Sequence, residues 1–77
     1  MQISAHHKGI IDRYVSHRLQ PGQGFFSILA NDIDWALLDT TTIDNISNII
    51  AYIREVVPAE AHGSAEAVNQ WLSGRKF

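Results

Sequence analysis

The stretch from Ile43 to Val57 constrains this chain more than any other. Ile43, Ile46, Ile50, Ile53 and Val57 alternate at spacings of three and four, and Ile49 and Val56 widen the stripe. That rhythm is helical, because 3.6 residues per turn brings such positions onto one face. Pro58 ends the helix, since its ring fixes φ and removes the N–H that another turn would use. Thr41 with Asp44 three residues on reads as a capping box and places the start near Thr41. A face this broad suits a helix covered on two sides, or one packed across an interface between copies.

The remaining segments read the same way. Ser4 is a plausible N-cap for a helix running to about Arg18, with Ile10, Ile11, Tyr14, Val15 and Leu19 as its apolar stripe. Gly9 weakens it by ~1 kcal/mol relative to alanine. Gln20-Pro21-Gly22-Gln23-Gly24 breaks the chain and reads as a connector. A second helix is expected from Gly22 or Gln23, with Phe25, Ile28, Leu29, Ile33, Ala36 and Leu37 inward and Leu38 at its end. The polar pair Asn31-Asp32 interrupts it and marks a kink or a break. Residues 39–42 read as a loop, and Ala59 to His62 as another. Ser64 caps a last helix, with Glu66 where the helix dipole favours negative charge. Val68, Trp71 and Leu72 anchor that helix, and Gly74 stops it. No strand alternation or repeat is present. The expectation is all-α: a single domain over 1–77, a compact bundle of about four short helices.

Size and composition add limits. A chain of 77 residues buries only roughly 60–65% of its unfolded surface. It has no cysteine, so neither disulfides nor thiolate metal sites can offset that deficit, and self-association into a homo-oligomer is the expected remedy. Mean hydropathy is −0.07, and no apolar run approaches the ~20 residues of a membrane span. The opening MQISAHHKGI lacks the apolar core of a signal peptide, so a cytoplasmic location is expected. Net charge is −2, which argues against general nucleic-acid binding. Lys8, Arg13 and Arg18 form at most a modest basic edge on the first helix, read first as a solvated face and second as the basis of a weak DNA-associated regulator.

The search for chemistry returns no catalytic set. His62-Gly63-Ser64 puts a histidine near a serine, but Ser64 lacks the flanking glycines of a nucleophile elbow and is better explained as a cap. Asn31-Asp32-Ile33-Asp34 resembles half an acidic metal cluster without its third ligand or its glycine, so a structural role leads and ligand contact follows. His6, His7, His17 and His62 show no i, i+4 pair for a helical zinc site and read as surface histidines. Gly22 and Gly24 do not make a phosphate loop, because no Gly-Lys-Ser/Thr follows. Arg54 follows Ile53 on a very apolar helix, where it either covers apolar surface with its stem or clamps a phosphate or carboxylate. Phe26 and Trp35 lie off the second helix's apolar face and are expected to be exposed, available to another copy or to a planar ligand. No enzyme, cofactor or metal is expected.

Three stretches read together carry a resemblance. They are Pro21-Gly22 followed by Ile28-Leu29-x-Asn31-Asp32-Ile33 and Ala36; Ile50-Ala51-Tyr52-Ile53 leading to Pro58; and Gly63-Ser64-x-Glu66-x-Val68-x-x-Trp71-Leu72. Over roughly residues 17 to 72 this resembles a family of short phage and prophage proteins with a P-G-x-F-L-x-A-V-L-x-N-D-L core and a C-terminal W-G-S-x-E-x-V-x-x-W-L. Gly24 stands where that family usually has an aromatic, and His62 replaces the tryptophan before Gly63-Ser64. The resemblance implies a phage accessory protein acting in the bacterial host cytoplasm, and small phage proteins without chemistry commonly bind host defence proteins or their nucleotide signals. The leading expectation is therefore a non-enzymatic, self-assembling anti-defence protein that sequesters a small nucleotide immune signal. Phe25, Arg54 and Trp71 would supply stacking and charge, and Asn31 and Asp32 would read polar edges of the ligand. The alternative in another class is an adaptor or inhibitor docking on a host protein.

Overall fold

Ser4 starts helix α1 (Ala5–His17) by accepting the His7 N–H on its hydroxyl at 3.2 Å. The computed structural model describes residues 3–74, and among them every regular element is helical: α1, then α2 (Gln23–Leu29), α3 (Thr40–Asp44), α4 (Ile46–Val56) and α5 (Ala65–Ser73), with single 3-10 turns at Trp35–Leu37 and Ala59–Ala61. The all-α expectation holds. Four of the helices are substantial and α3 is one short turn more.

The second helix stops at Leu29, at the break that Asn31-Asp32 marks, short of Leu38. Asn31 then adopts the left-handed conformation at φ 59, which an asparagine tolerates better than most residues. Asp34 restarts the chain by accepting the Ala36 N–H at 3.1 Å, enough for one 3-10 turn. The third helix is capped by Asp39, whose Oδ1 accepts the Thr42 N–H at 2.8 Å, and not by a box at Thr41. It is also interrupted at Asn45, which leaves the helical region at φ −108, ψ 12. The Asn45 amide donates to the His7 ring at 3.1 Å and accepts from Asn48 at 2.8 Å, so side-chain bonds draw this residue out of the helix. Val57 is extended ahead of Pro58, as the proline ring requires.

The core is drawn from every long helix. Ile11 and Tyr14 of α1, Phe25, Ile28 and Leu29 of α2, Ile49 and Ile53 of α4 and Val68 of α5 are buried together, with Val57 and Ala61 filling the corner between α4 and α5. The expected surplus on 43–57 is thus largely used within one chain. Ile49 and Ile53 lie inside, Ile46, Ile50 and Val56 are half-buried, and of the stripe only Ile43 is classed as exposed. The radius of gyration, 11.5 Å, matches the ~11.5 Å that a compact chain of this length should have.

The end of α1 locks the C-terminal half in place. Tyr14 donates its hydroxyl to the Ala61 carbonyl at 2.7 Å, and the Trp71 indole N–H donates back to the Tyr14 carbonyl at 3.0 Å. Arg18, the left-handed C-cap at φ 55, lays its guanidinium 3.7 Å from the Trp71 ring centre and donates to the Trp71 carbonyl at 3.2 Å. The Gly63 N–H closes the end of α2 by donating to the Leu29 carbonyl at 2.7 Å. These bonds set the relative positions of the surfaces described next. Among the described residues, no helix is long and apolar enough to cross a membrane.

Candidate functional site

The break after α2 shapes the surface. Because Asn31 turns left-handed, its side chain and that of Asp32 fall on opposite sides of the turn and line two different grooves. The larger is a cleft of about 560 Å³ between α2, the Trp35–Leu37 turn and the start of α5. Its apolar wall is Phe26, Ala30 and Leu37, and its polar rim is Gln20, Gln23, Asp32 and Asp34. The lining residues include two carboxylates and no cation. Leu37 in its wall is 45% exposed, and Trp35, on the same 3-10 turn but not in the lining, is 52% exposed; these are the two most exposed large apolar residues described. A cleft of this size falls within the ~300–1,000 Å³ typical of ligand sites.

The smaller groove, about 260 Å³, lies behind the end of α2 against α4. Asn31, Arg54 and His62 stand over a floor that includes Ile33, Ile50 and Ile53, and no carboxylate lines it. The two grooves therefore carry opposite charge.

The five residues proposed from sequence divide among these places. Asn31 and Arg54, far apart along the chain, meet in the smaller groove, while Asp32 lines the acidic cleft. Trp71 belongs to the latch with Arg18, away from both grooves: one ring face is covered by the guanidinium and its N–H is already bonded. Phe25 lies in the core: it is 7% exposed, with its ring centre 5.6 Å from that of His7, which leaves little of the ring open for stacking. The exposure expected of Trp35 is found, and Phe26 is half-buried as a cleft wall. Arg18, read as part of a solvated basic edge, is committed to Trp71.

His7 was read as a surface residue and is only 2% exposed. Its Nδ1 receives the Asn45 amide at 3.1 Å beside the Ser4 hydroxyl at 2.9 Å, and its Nε2 faces the Thr42 hydroxyl at 3.4 Å. An accepting Nδ1 places the proton on Nε2, so the ring is neutral. Burial, reinforced by His6, pushes its pKa down against the opposing pull of Asp39. The signal was available: His7, Ile11 and Tyr14 share one helical face, and Ser4 sits one turn before it. On the same side, the backbone and side-chain bonds from Thr42 hold the Asp39 carboxyl below its ordinary range.

Fold and surface together define a small all-helical domain with two grooves of opposite charge. Compared with family models, curated proteins and solved structures, the chain matches none.

Proposed function

We propose that this domain is a non-enzymatic binding module of the phage accessory kind, countering bacterial defence by docking on a host polypeptide through the cleft walled by Phe26 and Leu37. The observation that carries it is that the cleft of about 560 Å³ is walled by Phe26 and the exposed Leu37, with the still more exposed Trp35 on the same 3-10 turn. Aromatic side chains at the edge of an apolar depression are the usual anchors of protein interfaces. Asp32 and Asp34 add a negative rim that disfavours a nucleotide phosphate in the same place.

Affinity capture from bacterial lysate tests the proposal when run with matched variants. The wild-type domain should retain a polypeptide that Leu37→Glu loses and Ile43→Glu keeps, since both positions are exposed and only the first lines the cleft. Equal loss or equal retention by the two variants overturns it. If the retained polypeptide is the domain itself, the cleft is a self-association face instead of a host-docking one.

Sequestration of a small nucleotide is the second reading, and one observation favours it: Asn31 and Arg54 share a groove free of carboxylates. With Phe25 in the core and Trp71 in the latch, one chain does not assemble the composite site first expected. Titration calorimetry against cyclic dinucleotides and ADP-ribose derivatives tests it, and no heat at micromolar concentrations across that panel counts against it.

A further inference from the structure

We infer that the groove between the end of α2 and α4 is a site for a small organic anion, a phosphate or carboxylate carried on a single apolar ring. The inference concerns the same groove as the sequestration reading but takes a smaller ligand, and it rests neither on that reading nor on the docking cleft. Three residues of suitable chemistry line it together: Arg54, His62 and Asn31. Arginine holds oxyanions through two parallel N–H bonds, and the amide and imidazole can each add a donor. The backbone at the groove contributes little, because the Asn31 N–H already donates to Ile28 and the Gly63 N–H to Leu29. Recognition therefore rests on those side chains.

Their placement is fixed by the fold. Gly63 is tied to Leu29 at 2.7 Å, which sets His62 beside the end of α2. The left-handed Asn31 brings its side chain to the same groove. The floor of Ile33, Ile50 and Ile53 is apolar, so the ligand needs a hydrophobic body as well as a charge. Size then selects among anions. At about 260 Å³ the groove falls below the ~300–1,000 Å³ of sites that enclose drug-sized ligands. One ring with one anionic group matches that volume better than a whole dinucleotide does.

The plain alternative is that Arg54 only covers Ile50 and Ile53 with its stem. Backbone amide NMR of the labelled domain, titrated with phenyl phosphate, benzoate, phenol and a cyclic dinucleotide, separates the two. Phenyl phosphate or benzoate should shift Asn31, Arg54, His62 and Gly63 along one saturable curve, and phenol should not. Which of the two anions binds more tightly identifies the phosphate or carboxylate source. Arg54→Gln, which keeps most of the stem, should weaken binding roughly tenfold or more. Arg13→Gln, an exposed cation on α1, should leave it unchanged. Equal weakening by both variants, shifts confined to other surfaces, or none with either anion up to on the order of 10 mM overturns the inference. Binding of the cyclic dinucleotide without phenyl phosphate or benzoate would refute this ligand class while sparing sequestration. Binding of either small anion without the dinucleotide would do the reverse.

Discussion

A buried histidine in so small a core needs a reason, and the surroundings of His7 give one. Its ring bridges α1 to the α3–α4 break through Thr42 and Asn45, and it packs on Phe25. A proton on Nδ1 would point at the Asn45 amide, whose oxygen is already held by Asn48. The charged and titratable neighbours are His6, which opposes the proton, and Asp39, which favours it more weakly than burial resists it. The sign follows from the lowered folded pKa. Above the ordinary value of 6.5 the ring is neutral in both states and its bonds stabilise the fold. As pH falls below that value the unfolded chain takes up the proton first, and stability drops by at most about 1.4 kcal/mol per pH unit from this group. Urea unfolding from pH 7.5 to 5 (a range chosen around the ~6.5 of a free histidine) should show this slope in the wild type and lose it in His7→Gln. Identical slopes in the two proteins would refute the assignment. Tyr14 is a second such residue: burial raises its pKa to about 12, and its hydroxyl satisfies the Ala61 carbonyl. Tyr14→Phe should cost about 1–3 kcal/mol in the same assay by leaving a buried acceptor unpaired. Helical spacing already placed Tyr14 inside. His7 shares that face, but a histidine next to another reads as polar surface, and the partners that satisfy its ring lie 35 and 38 positions away, beyond the reach of local spacing.

At the scale of elements, caps and breakers were legible where the signal is local. Ser4, Ser64 and Pro58 mark boundaries because a hydroxyl facing a free N–H, or a ring that forbids one, acts within a few residues. Asn31-Asp32 was also readable as a break, although not its consequence: a left-handed turn that divides two neighbouring side chains between two grooves. The split at Asn45 was hidden, because its cause is His7 on another helix. The α2 connection to the Trp35–Leu37 turn shows a similar tertiary demand. A Cβ on Gly24 would come within 2.9 Å of Leu38 Cδ2 and 3.0 Å of the Leu37 carbonyl oxygen, so the glycine permits a close approach that periodicity does not report. Gly24→Ala should therefore destabilise the domain, despite the better helix propensity of alanine. Gly9→Ala is the matched contrast. Its Cβ meets only the Arg13 side chain, at 3.2 Å, which can move, and the substitution should stabilise α1 by roughly 0.5–1 kcal/mol. Melting both variants side by side checks the pair, and the explanation fails if they shift in the same direction.

For the whole molecule, the bundle and its core were largely foreseeable from periodicity, while the surface was not. The sequence supplied the right residue types but no means of knowing that Asn31 and Arg54 would meet, that Asp32 would face elsewhere, or that Phe25 would turn inward. Those facts depend on how helices cross and on which faces remain uncovered. Most prominently uncovered are the cleft walled by Leu37 and the exposed Trp35 on the same turn, and that face is proposed to be where the domain meets its partner. Photo-crosslinking scans this directly. With a benzophenone amino acid placed in turn at Trp35, at Ile43 and at Glu55, all exposed, expression in bacteria should yield one dominant crosslinked polypeptide from position 35 and little from the other two. Equal crosslinking from all three positions, or a dominant product from 43 or 55, would contradict the account.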